Sequence, residues 1–329
     1  MLISAALCAC LVLAAVLVAF GLKTTRASRL RRKIGAGLAI LLALGCLGFA
    51  VLIVRGLSLF YDRQAPVPVV QVALNPARIA RGKEIADTFC GACHARGGAL
   101  AGGRDIGKDL PLKIGSLVAP NLTPTGPIAD WSDGELYRAI RNSIDVDGRW
   151  LMIMSLTNAS RLADEDVKSV IAYLRSVAPA GAPTPMPPDQ LNPLGAAMLG
   201  AGMIPRGHPV SDATILAPER GANVAWGQYL LSYQDCSSCH GADLHGGVPG
   251  QLPPIGPDLA LVSAWSLQDF IKTMRTGIDP GGHQIQEPMP WRILAKMRDD
   301  DLEALFQALT HLPEPHAPET QATEPQTAP

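Results

Sequence analysis

Cys90-Gly91-Ala92-Cys93-His94 recurs, with only its two middle residues changed, as Cys236-Ser237-Ser238-Cys239-His240. Cys-x-x-Cys-His is the pattern by which a chain takes up a c-type haem. The spacing serves the chemistry. Two thiols three residues apart reach the two vinyl groups on one edge of a porphyrin, and the next imidazole can swing beneath the ring to the iron. That axial imidazole is one of the protein's main controls over what a haem does. A four-cysteine zinc site and a thioredoxin-like redox pair use the same cysteine spacing. Zinc gives no reason for either adjacent histidine, and a redox pair needs none. Two covalent haem c groups are therefore expected, on Cys90 with Cys93 and on Cys236 with Cys239, with His94 and His240 as proximal iron ligands.

Outward from each motif the surroundings repeat, the mark of a duplicated unit. Ala77 to Phe89 reads as a helix running into the first motif, and Asn223 to Gln234 as its counterpart before the second. Gly/Pro-rich stretches follow, Gly97 to Pro127 and Gly246 to Pro257, with the little periodicity expected of loop wrapped over a cofactor. Ser132-Asp133-Gly134-Glu135 can cap a middle helix through Ile140, and Ser266 to Thr276 is the second middle helix. Final helices begin at Asp164-Glu165-Asp166 and Asp299-Asp300-Asp301. The first carries Val167, Val170, Ile171 and Leu174 on one face; the second carries Leu302, Leu305, Phe306 and Leu309.

Superposing the two final helices requires an offset of 135 residues, which carries Met154 onto Met289. Both methionines stand ten residues before their helix, and this coincidence marks them as the distal ligands. Met152 is an alternative by proximity. Met274 and Met297 sit at helical spacings suited to a core. His245 and His283 could replace Met289 but read as loop histidines, and His208, His311 and His316 carry no special claim. Pro120 in Ala-Pro-Asn-Leu and Pro257 in Gly-Pro-Asp-Leu recur after each motif. A proline there either punctuates the loop or offers its carbonyl to the proximal imidazole, the hydrogen bond that iron-bound histidines usually make.

Charge divides the 329-residue chain unevenly. Residues 1–60 hold seven basic side chains and no acid, leaving 21 basic against all 29 acidic residues, a net of −8, in 61–329. An acidic exterior argues against nucleic acid as a partner and suits either solubility or a basic docking partner. Leu2 to Leu22 and Ile34 to Val54 are uncharged and each long enough to span a bilayer. Between them Lys23 to Lys33 carries six basic residues. The positive-inside rule makes that loop cytoplasmic and sends the haem units to the far side, the periplasmic face of a bacterial inner membrane. A cleaved signal peptide would want a basic residue before its apolar run, and none precedes Lys23. Lipoprotein processing at Cys46 is a second alternative. Cys8, Cys10 and Cys46 all lie in apolar runs and imply no disulfide.

The expected organisation is all-α: a two-helix transmembrane hairpin over 1–60, a proline-containing tether over 61–76, a haem unit over 77–178, a Pro-rich linker over 179–218, a second haem unit over 219–313 and a disordered tail over 314–329.

Each haem unit resembles a class I cytochrome c domain, with helix, Cys-x-x-Cys-His, Pro-x-Leu loop, middle helix, methionine and C-terminal helix in family order. Pro120-Asn121-Leu122-Thr123-Pro124, Asp130-Trp131-Ser132, Ala172-Tyr173-Leu174-Arg175-Ser176, Asp269-Phe270 and Met289-Pro290-Trp291 are similar to cytochrome subunits of periplasmic alcohol and gluconate dehydrogenases. Those subunits usually carry three haems behind a signal peptide, and have proline where Ser155 stands here. Membrane-tethered dihaem subunits of cbb3-type oxidases match the haem number and anchoring better. The resemblance implies a non-enzymatic, membrane-anchored dihaem electron carrier. Its donor would be a periplasmic dehydrogenase or a quinol-oxidising complex, and its acceptor a terminal oxidase, quinone or a soluble cytochrome. A dihaem peroxidase would need an open iron site, which paired methionines disfavour.

Overall fold

The computed structural model describes residues 9–10, 12–16, 29–95, 98–184, 189–251 and 254–314. Most of the expected first membrane segment, Leu2 to Leu22, lies outside these residues, as do 23–28 of the basic loop and the tail from 315. Helix α1 runs from Arg29 to Tyr61. Its stretch Lys33–Tyr61 is, among the described residues, the one helix long and apolar enough to cross a membrane. The described chain is mostly helical and divides into two compact units, one of residues 1–83, 93–160 and 166–213, the other of 84–92, 161–165 and 214–329.

Around the first Cys-x-x-Cys-His motif, α2 (Pro76–Ile85), α3 (Gly91–His94), α4 (Asp133–Asn142) and α6 (Asp164–Ser176) follow the expected order, with α5 (Met152–Leu156) between the last two. Ser132 and Glu135 form a reciprocal capping box on α4, satisfying two backbone donors that a helix start leaves open. α2 and α6 approach so closely that a Cβ on Gly82 would stand 1.8 Å from the Ser169 carbonyl oxygen. The bidentate Arg81–Asp166 pair, at 2.6 and 2.8 Å, ties the same two helices.

Two expectations for this unit need correction. Part of the stretch 179–218, expected as a linker, is regular structure instead. Asp189–Leu191 forms strand β2, antiparallel to β1 (Gly115–Leu117) with Gly115 opposite Leu191, a small departure from an all-α fold. Asn192 then caps α7, Pro193–Gly200. Proline density suggested an extended segment, but Pro193 occupies the first turn of a helix, where its missing N–H costs nothing. The uncharged run after it has apolar surface to bury. α7 lies antiparallel on α1, because Gly56 meets Ala196 while Gly200 meets Leu52. A Cβ on either glycine would come within 1.9 Å of the opposing carbonyl oxygen. Ile53, Phe60, Leu117, Trp150, Met152, Leu191, Ala196 and Leu199 share one core, each large side chain contributing roughly 1.5–3 kcal/mol of burial.

The stretch 61–76 is likewise fastened rather than loose. Arg63 lies over the Trp150 ring and donates to the His208 carbonyl at 2.9 Å. Arg138 donates to the Ala65 carbonyl at 3.2 Å, and Val72 N–H to Asp133 at 2.9 Å.

Beside β2 lies a buried charge cluster. Burial raises the Asp189 carboxyl to about 6, Arg149 opposing that rise while Asp145 and Asp105 add to it. A folded pKa above the unfolded one stabilises fully below the unfolded pKa, near 3.8, and the gain is lost as pH climbs toward 6. Asp189→Asn is therefore expected to raise stability at pH 7 by about 1–3 kcal/mol and to flatten its pH dependence between those values. Denaturant unfolding at pH 4 and pH 7 checks this; a variant equally destabilised at both would contradict it.

The second unit repeats the plan with α8 (Val224–Tyr233), α9 (Cys236–His240), α10 (Leu267–Thr276), α11 (Trp291–Leu294) and α12 (Asp299–Leu309). Ser266 and Asp269 form the capping box of α10. Gly227 lets α8 cross α12, its absent Cβ lying 1.9 Å from the Ala304 carbonyl oxygen. Trp226 Nε1 donates to Asp301 at 2.7 Å, the acid that the 135-residue offset pairs with Asp166.

Candidate haem centres

Each Cys-x-x-Cys-His histidine sits on a short helix whose ends are shaped by its neighbours. A π-helical turn, Ala86–Cys90, leads into α3. Asp235, with φ 60°, turns the chain into α9, and Gly241, with φ 85°, turns it out. His94 and His240 are both buried, each 8% exposed. Nδ1 of His94 lies 2.9 Å from the Pro120 carbonyl oxygen, and Nδ1 of His240 lies 2.7 Å from that of Pro257. A carbonyl only accepts, so Nδ1 carries a proton in both rings, which in the neutral imidazole leaves the lone pair on Nε2. Burial holds the His94 pKa below its ordinary value despite the Pro120 bond, favouring the neutral imidazole that can ligate a metal.

The carbonyls reach the rings because the loops are pinned by glycine. Gly102 N–H donates to His94 O at 2.8 Å, and Gly246 N–H to His240 O at 2.7 Å. A Cβ on Gly102, where φ is 63°, would stand 2.4 Å from the Pro120 carbonyl, and one on Gly256 would stand 2.7 Å from His240 Nδ1. Neither glycine stood out in the sequence, although Gly256 directly precedes the proline of the Pro-x-Leu loop. Histidine and proline are 26 residues apart in the first unit and 17 in the second. The longer loop contains β1, so the extra residues build the pairing with β2.

Cys90, Cys93, Cys236 and Cys239 are half-buried thiols, not disulfides. Burial pushes the Cys236 thiol up to about 12 and raises Cys239 as well. Met154 on α5 and Met289 before α11 are half-buried. Met152 is 1% exposed within the core of the first unit, and Met274 and Met297 are also buried. Both ring nitrogens of His245 are occupied, Nδ1 by Asp258 and Nε2 by the Pro313 carbonyl at 2.8 Å. His283 pairs with Asp279, and His208 Nε2 with Asn158 at 3.0 Å. Among the described residues no group of three or more His, Cys, Asp or Glu converges as a metal cage. Paired thiols followed by an imidazole with Nδ1 tethered and Nε2 open suit a covalently attached porphyrin iron.

The cytochrome c family matches residues 79–178 and 224–312. More than half of the chain is covered, and the chain belongs to the cytochrome c family. Covalently bound haem c follows from that membership. One of the subunits of the nicotinate dehydrogenase of Pseudomonas putida is 31% identical over 176 residues, covering 50% of this chain and 14% of that protein. A fructose dehydrogenase cytochrome subunit from Gluconobacter japonicus is 33% identical over 143 residues, covering 41% and 28%. The cytochrome c subunit of a quinone alcohol dehydrogenase from Gluconobacter oxydans is 32% identical over 111 residues, covering 30% and 23%. The chain thus spans less than a third of the length of any of these three relatives.

Proposed function

We propose that the chain is a membrane-anchored dihaem cytochrome c that passes single electrons at the periplasmic face as the electron-accepting subunit of a dehydrogenase. One observation carries the reading: the same histidine-to-proline-carbonyl bond, with Nε2 left open, stands twice in the chain. Bound haem would supply a one-electron iron couple; the polypeptide supplies attachment, orientation and burial. Cys90 with Cys93, and Cys236 with Cys239, are the thioether positions. His94 and His240, oriented by Pro120 and Pro257, would hold the iron through imidazole, and Met154 and Met289 would hold it through thioether. The two family matches support haem units over about 77–178 and 219–313.

A dehydrogenase partner is supported by the names of the relatives, two of which are cytochrome subunits. Quinone as acceptor is supported by the alcohol dehydrogenase among them. Anchoring rests on α1, whose uncharged stretch Ile34 to Val54 spans roughly 30 Å as a helix.

The test is haem content followed by redox titration of the membrane-extracted chain. Two covalent haems per chain, each reduced by one electron and each refusing carbon monoxide, are expected. One haem per chain sinks the dihaem reading. Ready carbon monoxide binding at one haem would instead favour the peroxidase class. Copurification of a flavin-, quinoprotein- or molybdenum-containing partner checks the dehydrogenase assignment, and copper with b- or a-type haem would replace it with an oxidase.

A further inference from the structure

Pro193 to Ile204 carry no charge and build α7 with the turn that ends it. One side of this helix, through Gly195, Ala196, Ala197, Leu199 and Gly200, is buried. The outer side is apolar too, with Leu194 46% and Met203 67% exposed. Ala201 and Gly202 are exposed beside them. A helix on a water-facing surface ordinarily carries polar residues on its outer side. This one has none.

Its direction gives the reason. Gly200 stands beside Leu52, and Ala196 beside Gly56. The end of α7 therefore points back along α1, toward the uncharged stretch Ile34 to Val54, and its start points away from it. The tip is also closed electrically. Arg55 Nη1 donates to the Gly200 carbonyl at 2.8 Å. The N–H groups of Ala201, Gly202 and Met203 donate to Ala197, Leu199 and Met198 carbonyls at 2.8, 3.0 and 2.9 Å. Backbone that meets lipid must satisfy its own polar groups in this way. Tyr61, Arg63 and Arg206 follow on the side away from the apolar stretch, with Arg63 donating to the Arg206 carbonyl at 3.3 Å. Aromatic and cationic side chains of this kind gather at the bilayer boundary.

We infer that residues 193–204 are an apolar finger that enters the periplasmic boundary of the bilayer beside α1 and seats the first unit against lipid acyl chains. This rests on the reading of α1 as a membrane span. The test uses the full haem-loaded chain in phosphatidylcholine nanodiscs doped with phosphatidylcholine bearing a photoactivatable diazirine high on one acyl chain. Adducts are mapped by peptide mass spectrometry.

The finger predicts adducts on 194–204 as well as on 34–54. Adducts on 34–54 alone overturn the finger and leave the anchor standing, whether water, Leu2–Leu22 or a second copy covers α7. Adducts on neither stretch remove the anchor and the finger together. Met203→Glu, checked for an unchanged haem absorption spectrum, is expected to cut finger adducts several-fold while labelling of 34–54 persists. Undiminished finger labelling in that variant would also overturn the proposal.

Discussion

A Met154→Leu chain is expected to fold, to take up its full complement of haem, and to lose at one iron the raised reduction potential that a thioether ligand confers. Leucine conserves the volume of methionine, and such swaps cost less than about 1.5 kcal/mol. Met154 is only half-buried, which keeps the cost at the low end. The potential should fall on the order of 100 mV, a modest share of the roughly 0.8 V over which axial ligands tune haem. Spectroelectrochemical titration resolves it, together with loss of the weak red absorption that thioether-bound ferric haem shows. Met152→Leu is the control. Met152 is 1% exposed and packs with Phe60, Trp150 and Leu199, so its replacement should leave both potentials in place. Met152→Ala should instead cost about 2–5 kcal/mol through the cavity it leaves. If Met152→Leu lowers a potential and Met154→Leu does not, the distal ligand of the first unit is Met152.

The absence of proline after Met154 has a local cause consistent with that assignment. Ser155 N–H donates to the Leu151 carbonyl at 3.0 Å, and its carbonyl accepts from His208 N–H at 3.0 Å. Its hydroxyl donates to the Met152 carbonyl at 2.7 Å. A proline could supply neither the N–H nor the hydroxyl. In the second unit Pro290 makes no such demand, because Trp291 N–H turns back to the Met289 carbonyl at 2.9 Å. Serine at 155 thus belongs to the way the first unit folds its own 201–213 stretch onto α5.

What was legible in the sequence was whatever a local rule enforces. The cap at Ser132 came out at its expected place, because a side chain three residues from its partner leaves little choice, and the second middle helix begins where expected, with Ser266 as its cap. The final helices start at Asp164 and Asp299, as their acidic first turns suggested. The missed features are all long-range. β1 and β2 are three-residue strands whose paired residues lie 72 to 76 positions apart, too short to show a period and dependent on each other for hydrogen bonds. α7 was hidden by the prolines around it, and nothing in Pro193–Gly200 signals that it fits against Leu52 and Gly56. The Pro120 and Pro257 carbonyls were legible only as one of two options, since the bond depends on Gly102 and Gly256 letting the loop approach the ring.

The second large expected effect concerns the helix crossing that both units share. In the second unit a Cβ on Gly227 would stand 1.9 Å from the Ala304 carbonyl oxygen, 2.6 Å from its carbon and 2.8 Å from Ala308 Cβ. Two of these three atoms are helix backbone and cannot rotate away, so Gly227→Val must push α8 off α12. Overpacking of this kind costs about 1–3 kcal/mol and sometimes more. Here it also strains the 2.7 Å Trp226–Asp301 bond, a hydrogen bond to a charged group that contributes roughly 1.5–3 kcal/mol. Against a total stability on the order of 5–15 kcal/mol, the sum takes a large share of the unit's margin. The variant is expected to be recovered with one covalent haem, on Cys90 and Cys93, because a haem unit over 219–313 that stays unfolded is degraded together with its Cys236–His240 peptide. Gly82→Val, whose Cβ would meet the Ser169 carbonyl at 1.8 Å, should give the mirror result and leave the haem on Cys236 and Cys239. Intact-mass and haem-peptide analysis distinguishes the two. A Gly227→Val chain that carries both haems and melts like the parent would mean that α8 and α12 do not cross at this glycine. Loss of both haems from either variant would mean that the units do not fold separately, which the duplicated histidine–proline geometry alone does not require.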